Sequence, residues 1–258
     1  LRGEAGAFYD REYSGSEYAS FARAEAHHHY PEVKAFIEQF GLHGARCLEI
    51  GCGRGALQDL VKDYTGTDIS ESVRPFLRKP FVRCTATQLP FEADSFDAAW
   101  SIAVLEHVDD PERALGEIRR VLKPGGLLFL SPAWQCRSWA ADGYPVRPYG
   151  DFDWRGKLVK ASIPLRDSVL WRSMFIIPRR ASRRLSHSIQ RRPTAFRFRR
   201  LTPNYQTYWM ADSDAVSAMD PHEAIMWFTS RGDECLNYPT TMRQFLVRTG
   251  PLIFRIRK

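Results

Sequence analysis

The chain has 258 residues, 44% of them hydrophobic and 13% aromatic, with 17 Gly and 16 Pro; these proportions exclude a disordered, collagenous or low-complexity chain and predict one large domain, or one domain with a sizeable insertion. About 70% or more of the unfolded surface can be buried at this length, so the core needs no disulfide or structural metal, and five cysteines without a C-x-x-C pair argue against a disulfide framework or a zinc knuckle. The net charge of +7 is segregated: residues 137–200 hold 16 Lys and Arg against four Asp, a balance of +12, and the other 194 residues hold 21 against 26 acids, a balance of −5.

The first residues, Leu-Arg-Gly-Glu, have no apolar run behind them and do not read as a secretory signal. His27-His28-His29 follows; adjacent residues on a helix point about 100° apart, so three in a row cannot all face one ion, and a solvated helix face is expected rather than a metal site. Arg46-Cys47-Leu48-Glu49-Ile50 reads as a strand running into Gly51-Cys52-Gly53-Arg54-Gly55, and residues 56–63 carry helical spacing at Leu57, Leu60 and Val61. Further strands are expected at 64–68, 81–84 and 96–101. Asp110-Pro111-Glu112 starts a helix, with an Asp cap and Pro at the first position, and Leu115, Ile118 and Leu122 face the core until Lys123-Pro124-Gly125-Gly126 ends it. Residues 127–130 form a strand apolar on both faces, as a central parallel strand should be.

From 133 to about 210 the pattern is irregular, Arg-rich and aromatic-rich, and reads as a cap. Its longest apolar runs, like those elsewhere in the chain, fall far short of the ~20 residues that a spanning helix needs. Regular structure returns at Asp220-Pro221-His222-Glu223, a helix start with Glu at the capping-box position, followed by Ile225 and Phe228 on one face and a stop at Gly232. Two strands follow, near 234–238 and 251–257. Alternating strands and helices define a parallel α/β sheet, and the chain divides into a core at 1–132, the cap at 133–210 and a return to the core at 211–258.

A glycine loop after a first strand lets backbone approach a nucleotide-like ligand, because glycine has no Cβ and takes φ > 0. The loop here, Glu49-x-Gly51-x-Gly53-x-Gly55, also reads as Gly51-x-Gly53-x-x-Ala56, the dinucleotide fingerprint, with Asp68 about where a ribose-binding acid lies. The loop alone does not separate the two cofactor types. Downstream, Thr85-Ala86-Thr87-Gln88-Leu89-Pro90-Phe91, Asp94-Ser95-Phe96-Asp97, Val104-Leu105-Glu106-His107-Val108 and Leu122-Lys123-Pro124-Gly125-Gly126 together resemble class I S-adenosylmethionine-dependent methyltransferases of the methyltransferase 11 type, over roughly residues 44–132.

The resemblance implies a Rossmann-like sheet of seven strands, the last one antiparallel, with S-adenosylmethionine as cofactor. It implies that Glu49 orients the methionine ammonium, that Gly51, Cys52 and Gly53 bring the loop beside the methionine portion, and that Asp68, next to Ile69, accepts both ribose hydroxyls. Ala86 and Thr87 match positions beside adenine, and Ser101 with Ile102 match the floor of the site. Many relatives carry Asp where Thr85 stands, so the charged contact to the adenine amine is lost here. Tyr9 and Tyr13 match aromatic residues that fold over the cofactor as an N-terminal lid.

His107 follows the fourth strand, on the rim where this fold places its ligand; with an ordinary pKa near 6.5 it either takes a proton from an acceptor hydroxyl or only packs beside the cofactor. Asp109 and Asp110 read as helix-start residues. The acceptor is expected in the cap, with Trp134, Arg137 and Tyr144 as contact residues. There Trp171, Met174, Phe175, Ile176 and Ile177 adjoin Arg179, Arg180, Arg183 and Arg184, a combination suited to an anionic membrane surface or a phosphorylated acceptor, or to a plain solvated face. The expected function is therefore methyl transfer, to oxygen, of an anionic small molecule, sugar or lipid-linked glycan, in the cytoplasm and peripherally at the inner face of a membrane. The rivals are methylation of RNA such as tRNA, because 14 of the 16 cap cations are Arg interleaved with aromatics, and a catalytically silent binding protein on the same fold.

Overall fold

The computed structural model describes residues 2–14 and 27–258. Its centre is a seven-stranded sheet built from β1 (Arg46–Ile50), β2 (Asp63–Asp68), β3 (Phe81–Arg83), β4 (Phe96–Ile102), β5 (Leu122–Ser131), β8 (Glu234–Cys235) and β9 (Leu252–Arg255), in the order β3-β2-β1-β4-β5-β9-β8. Strands β1 to β5 are parallel, whereas β9 runs antiparallel to both β5 and β8. This is the sheet that the sequence predicted, including the antiparallel last strand. The two-residue period of its strands distributes their side chains to opposite faces. Leu48, Ile50, Leu128 and Leu130 join one core with Leu115, Ile118 and Phe228, while Cys47, Trp100, Leu127 and Phe129 join another with Val33, Phe36 and Ile37. The helices that cover these faces are α2 (Tyr30–Phe40), α3 (Pro111–Val121) and α6 (Pro221–Thr229). The caps read from sequence are present: Asp110 accepts from the Arg113 amide at 3.0 Å, and Asp220 from the His222 amide at 2.9 Å.

Three expectations differ. Residues 56–62 are turns and bends around a single 3-10 turn, Gln58–Leu60, rather than a helix, and Asp63 already opens β2; Leu57 and Val61 still reach the core, and β2 begins too soon for a second turn to form. The cap is not irregular throughout, for it contains α4 (Trp154–Asp167) and α5 (Val169–Gln190), and its β6 (Phe198–Arg200) pairs antiparallel with β7 (Ser217–Met219) beyond residue 210. The histidine run stands ahead of α2 instead of on a helix face, with His29 at the cap position. A short α7 (Thr241–Leu246), capped by Thr240, was not legible in the pattern.

Strand order reverses between β1 and β4, where the chain leaves in opposite directions and a crevice opens outside the carboxyl ends of the strands. The first helix, α1 (Arg2–Ser14), brings Tyr9 and Tyr13 to this crevice.

Candidate active site

The loop after β1 is held onto β2 by its own backbone. The amides of Gly51 and Cys52 both donate to the Thr67 carbonyl, at 2.7 and 2.9 Å. Gly51 has φ +72, and a Cβ there would stand 2.1 Å from Val104 Cγ2, so conformation and space both demand glycine. Asp68, at the end of β2, accepts from the Gly53 amide at 3.0 Å and from the Ser70 amide at 2.9 Å. Burial raises its pKa and these amides oppose the rise. A carboxylate offers about four acceptor directions, so acceptor capacity remains on Asp68 for a ligand. Glu49, also buried, accepts from the Tyr64 hydroxyl, and burial pushes its pKa up to about 8.

These groups line a cavity of about 520 Å³. Of the residues singled out from sequence, Glu49, Gly51, Cys52, Gly53, Asp68, Ile69, Ala86, Thr87, Ile102, His107, Tyr9 and Tyr13 all border it. Thr85 borders it too, its hydroxyl 2.8 Å from that of Thr87. The glycine cradle, the acid closing β2 and the buried acid of β1 fit S-adenosylmethionine: backbone for the methionine portion, two acceptors for a diol and a carboxylate for an ammonium.

Ser101 does not border the cavity; its hydroxyl is buried with no hydrogen-bond partner. Nor do Trp134, Arg137 and Tyr144. The Trp134 indole donates to the Gly250 carbonyl at 2.9 Å, Arg137 pairs with Asp167 at 2.6 Å, and Tyr144 stacks on Phe152 with centroids 4.5 Å apart. Of the cap arginines expected to clamp an anion, Arg179 is exposed, and Arg180, Arg183 and Arg184 are engaged inside the protein. Arg180 pairs with Asp220, Arg183 with Glu223 at 3.1 Å, and Arg184 donates to His222 at 3.0 Å.

The far end of the cavity was not legible as a site. Tyr205, Tyr208, Asp212 and Asp214 border it, together with His107, Asp109 and Asp110. His107 Nδ1 lies 3.1 Å from Asp214 Oδ2, and its Nε2 lies 3.9 Å from the wholly buried Glu106. The Tyr9 hydroxyl donates to the same Asp214 oxygen, and the Tyr9 ring meets the imidazole edge-on at 5.9 Å. Burial pulls the His107 pKa down, but Asp214, Glu106 and Asp212 together outweigh it and push it up to about 9. The three carboxylates thus favour the imidazolium, where the sequence predicted a near-neutral ring. Asp214, against the effect of its own burial, is held below the ordinary carboxylate range by His107 and Tyr9. The three histidines border the cavity as well, and burial pulls His27 down to about 4. Among the described residues, the cluster whose donor atoms lie within 4.8 Å of one another is Glu106, His107 and Asp212, not the histidine run.

Sheet order, glycine loop and acid-closed second strand define a nucleotide-cofactor-binding α/β protein. Residues 48–130 match the family profile described as the methyltransferase domain, of the methyltransferase 11 type. Residues 48–130 are therefore similar to a methyltransferase domain, and the groups lining the crevice fit S-adenosylmethionine as its cofactor. It is similar to phthiotriol/phenolphthiotriol dimycocerosates methyltransferase 1 of Mycobacterium ulcerans, 31% identical over 137 residues, covering 46% of this chain and 51% of that protein. It is also similar to a ubiquinone biosynthesis O-methyltransferase of Coxiella burnetii, 31% identical over 112 residues, covering 38% of this chain and 48% of that protein. The chain spans about half the length of these curated relatives. Among solved structures, a SAM-dependent methyltransferase of Thermotoga maritima is 18% identical, with 98% of this chain and all of that chain covered and a TM-score of 0.48.

Proposed function

We propose that this chain transfers the methyl group of S-adenosylmethionine to an oxygen of a small-molecule acceptor of the sugar or lipid-linked glycan kind. The observation that carries the reading is one cavity joining the glycine loop and Asp68 at one end to the His107–Asp214 pair at the other. The cofactor supplies a methyl group on a sulfonium, ready for displacement. The protein's part is to hold the acceptor close and in line, and to receive the proton that its hydroxyl sheds.

Asp68 anchors the ribose and holds the loop in place at the same time. Glu49 receives the ammonium, whose charge favours the ionised carboxylate that burial alone disfavours. Asp214, oriented by the Tyr9 hydroxyl, faces the imidazole, and because three carboxylates stabilise the protonated ring, His107 accepts a proton from the acceptor only in its neutral form, which grows as pH rises toward about 9. Four aspartates border the acceptor end, so a phosphate or carboxylate on the acceptor would be repelled there and would have to lie outside the cleft.

Calorimetric titration of S-adenosylmethionine into the native chain and into Asp68→Ala tests the cofactor end. Losing the ribose acceptors should weaken binding by about 30- to 1000-fold, or roughly 2 to 4 kcal/mol. Tight binding of NAD with none of S-adenosylmethionine would overturn the reading.

A further inference from the structure

Helix α5 is oriented contrary to the usual rule for a surface helix. Its 22 residues extend about 33 Å at 1.5 Å per residue. Arg180, Arg183 and Arg184 point inward, to Asp220, Glu223 and His222 near the start of α6. The face left outward is apolar. At helical spacing it presents Leu170, Met174, Ile177, Ala181, Leu185 and Ile189 to solvent, with Leu170 85%, Leu185 64% and Ile189 73% exposed. Trp171 and Phe175 widen this stripe. The neighbouring α4 repeats the arrangement with Trp154, Leu158 and Leu165, each more than half exposed. Exposed apolar faces on two consecutive helices are what an interface requires and what a solvated surface avoids.

The charge around this surface identifies its partner. Residues 168–200 contain ten Arg and no Asp or Glu, and Arg179, Arg191, Arg192, Arg197, Arg199 and Arg200 remain exposed. A second copy would set two such cation-rich faces against each other. No helix among the described residues is long and apolar enough to cross a membrane, whereas an apolar stripe bordered by arginines and carrying two tryptophans suits the boundary between headgroups and acyl chains.

We propose that the α4–α5 hairpin docks this protein onto an anionic lipid surface, lying in the interface plane with its apolar faces inserted and its arginines against the headgroups. This contact stands apart from the cofactor cavity, so its failure and that of the methyl-transfer reading are separable.

The test is co-sedimentation of the full chain with vesicles of phosphatidylcholine alone and of phosphatidylcholine mixed with phosphatidylglycerol. The native chain should partition to the mixed vesicles, and added salt should weaken it. Leu170→Glu with Met174→Glu should lower partitioning at least about 100-fold, and Arg191→Glu with Arg192→Glu at least about 10-fold. Both variants should retain native circular dichroism and S-adenosylmethionine affinity. Absence of binding to mixed vesicles overturns the proposal. So does sedimentation equilibrium showing a stable dimer that Leu170→Glu dissociates while native partitioning stays at background, since the face then belongs to a second copy.

Discussion

Replacing Asp214 with Asn should shift the titration of His107 as well as lower the rate reached once the ring is neutral. In the native chain burial pulls the ring down, while Asp214 at 3.1 Å, Glu106 and Asp212 raise it from 6.5 to about 9. A rise of that size corresponds to roughly 3 kcal/mol of net preference for the imidazolium. Asp214 supplies the nearest ion-pair contact, at 3.1 Å, so with Asn in its place burial meets Glu106 and Asp212 alone, and the ring should titrate at least about one pH unit lower. The imidazole proton resonances followed by NMR read this directly and need no acceptor. Single-turnover methyl transfer to a hydroxyl acceptor should climb with pH toward about 9 in the native enzyme and level off earlier in Asp214→Asn. Because the folded pKa lies above the unfolded one, the pair's contribution to stability is complete below pH 6.5 and is lost as pH rises through about 9. The native Tm should accordingly fall across that window, more steeply than that of the variant. A native His107 that titrates near 6.5, or the same midpoint in both proteins, refutes the argument.

The affinity for S-adenosylmethionine should fall by about tenfold per pH unit below pH 8, because an ammonium needs Glu49 ionised and burial keeps it protonated up to about 8; calorimetry in buffers of different ionisation enthalpy should show a proton released on binding, and pH-independent affinity would contradict this. Gly51→Ala forces φ +72 on a residue with a Cβ and sets that Cβ 2.1 Å from Val104; the conformation alone costs about 1 to 2 kcal/mol, cofactor affinity should drop, and Val104→Ala should recover part of the lost Tm by making room. Arg183→Ala leaves Glu223 buried without its cation and should cost about 3 to 5 kcal/mol of stability in denaturant titrations; unchanged stability would return Arg183 to a ligand-binding role.

The cofactor end was legible because each of its parts is a short contiguous segment after a strand. Short strand-like runs alternating with helical patterns located β1, β2 and β4, and the chemistry followed at their carboxyl ends, in Gly51 to Gly53, at Asp68 and at Ile102. The segment 56–63 misled for a physical reason: Leu57, Leu60 and Val61 have the spacing of one helical turn, and one turn is as compatible with the observed 3-10 turn as with a helix. The acceptor end had no comparable signature. Tyr9 donates to Asp214 across 205 positions of sequence, and neither Asp212 nor Asp214 belongs to a periodic element. His107 was visible because it sits beside a motif, and Tyr9 as a lid residue, but the charge state of the ring depended on carboxylates that no local pattern announces.

The cap shows how a correct observation about composition can be attached to the wrong side of a helix. Arg179, Arg180, Arg183 and Arg184 beside Trp171, Met174 and Phe175 do form an amphipathic stretch, but periodicity states only that two faces differ, not which one meets the protein. Apolar residues inward is the default inference, and it would have left the arginines free for an anionic acceptor. The acids at the start of α6 reverse it: Asp220 and Glu223 draw Arg180 and Arg183 inward, and turning that face to the body turns Leu170, Leu185 and Ile189 outward. The same charge pairs that remove these arginines from acceptor binding therefore create the exposed apolar surface. That surface lies on the element richest in remaining cations, which makes a membrane a better match for it than a soluble anion.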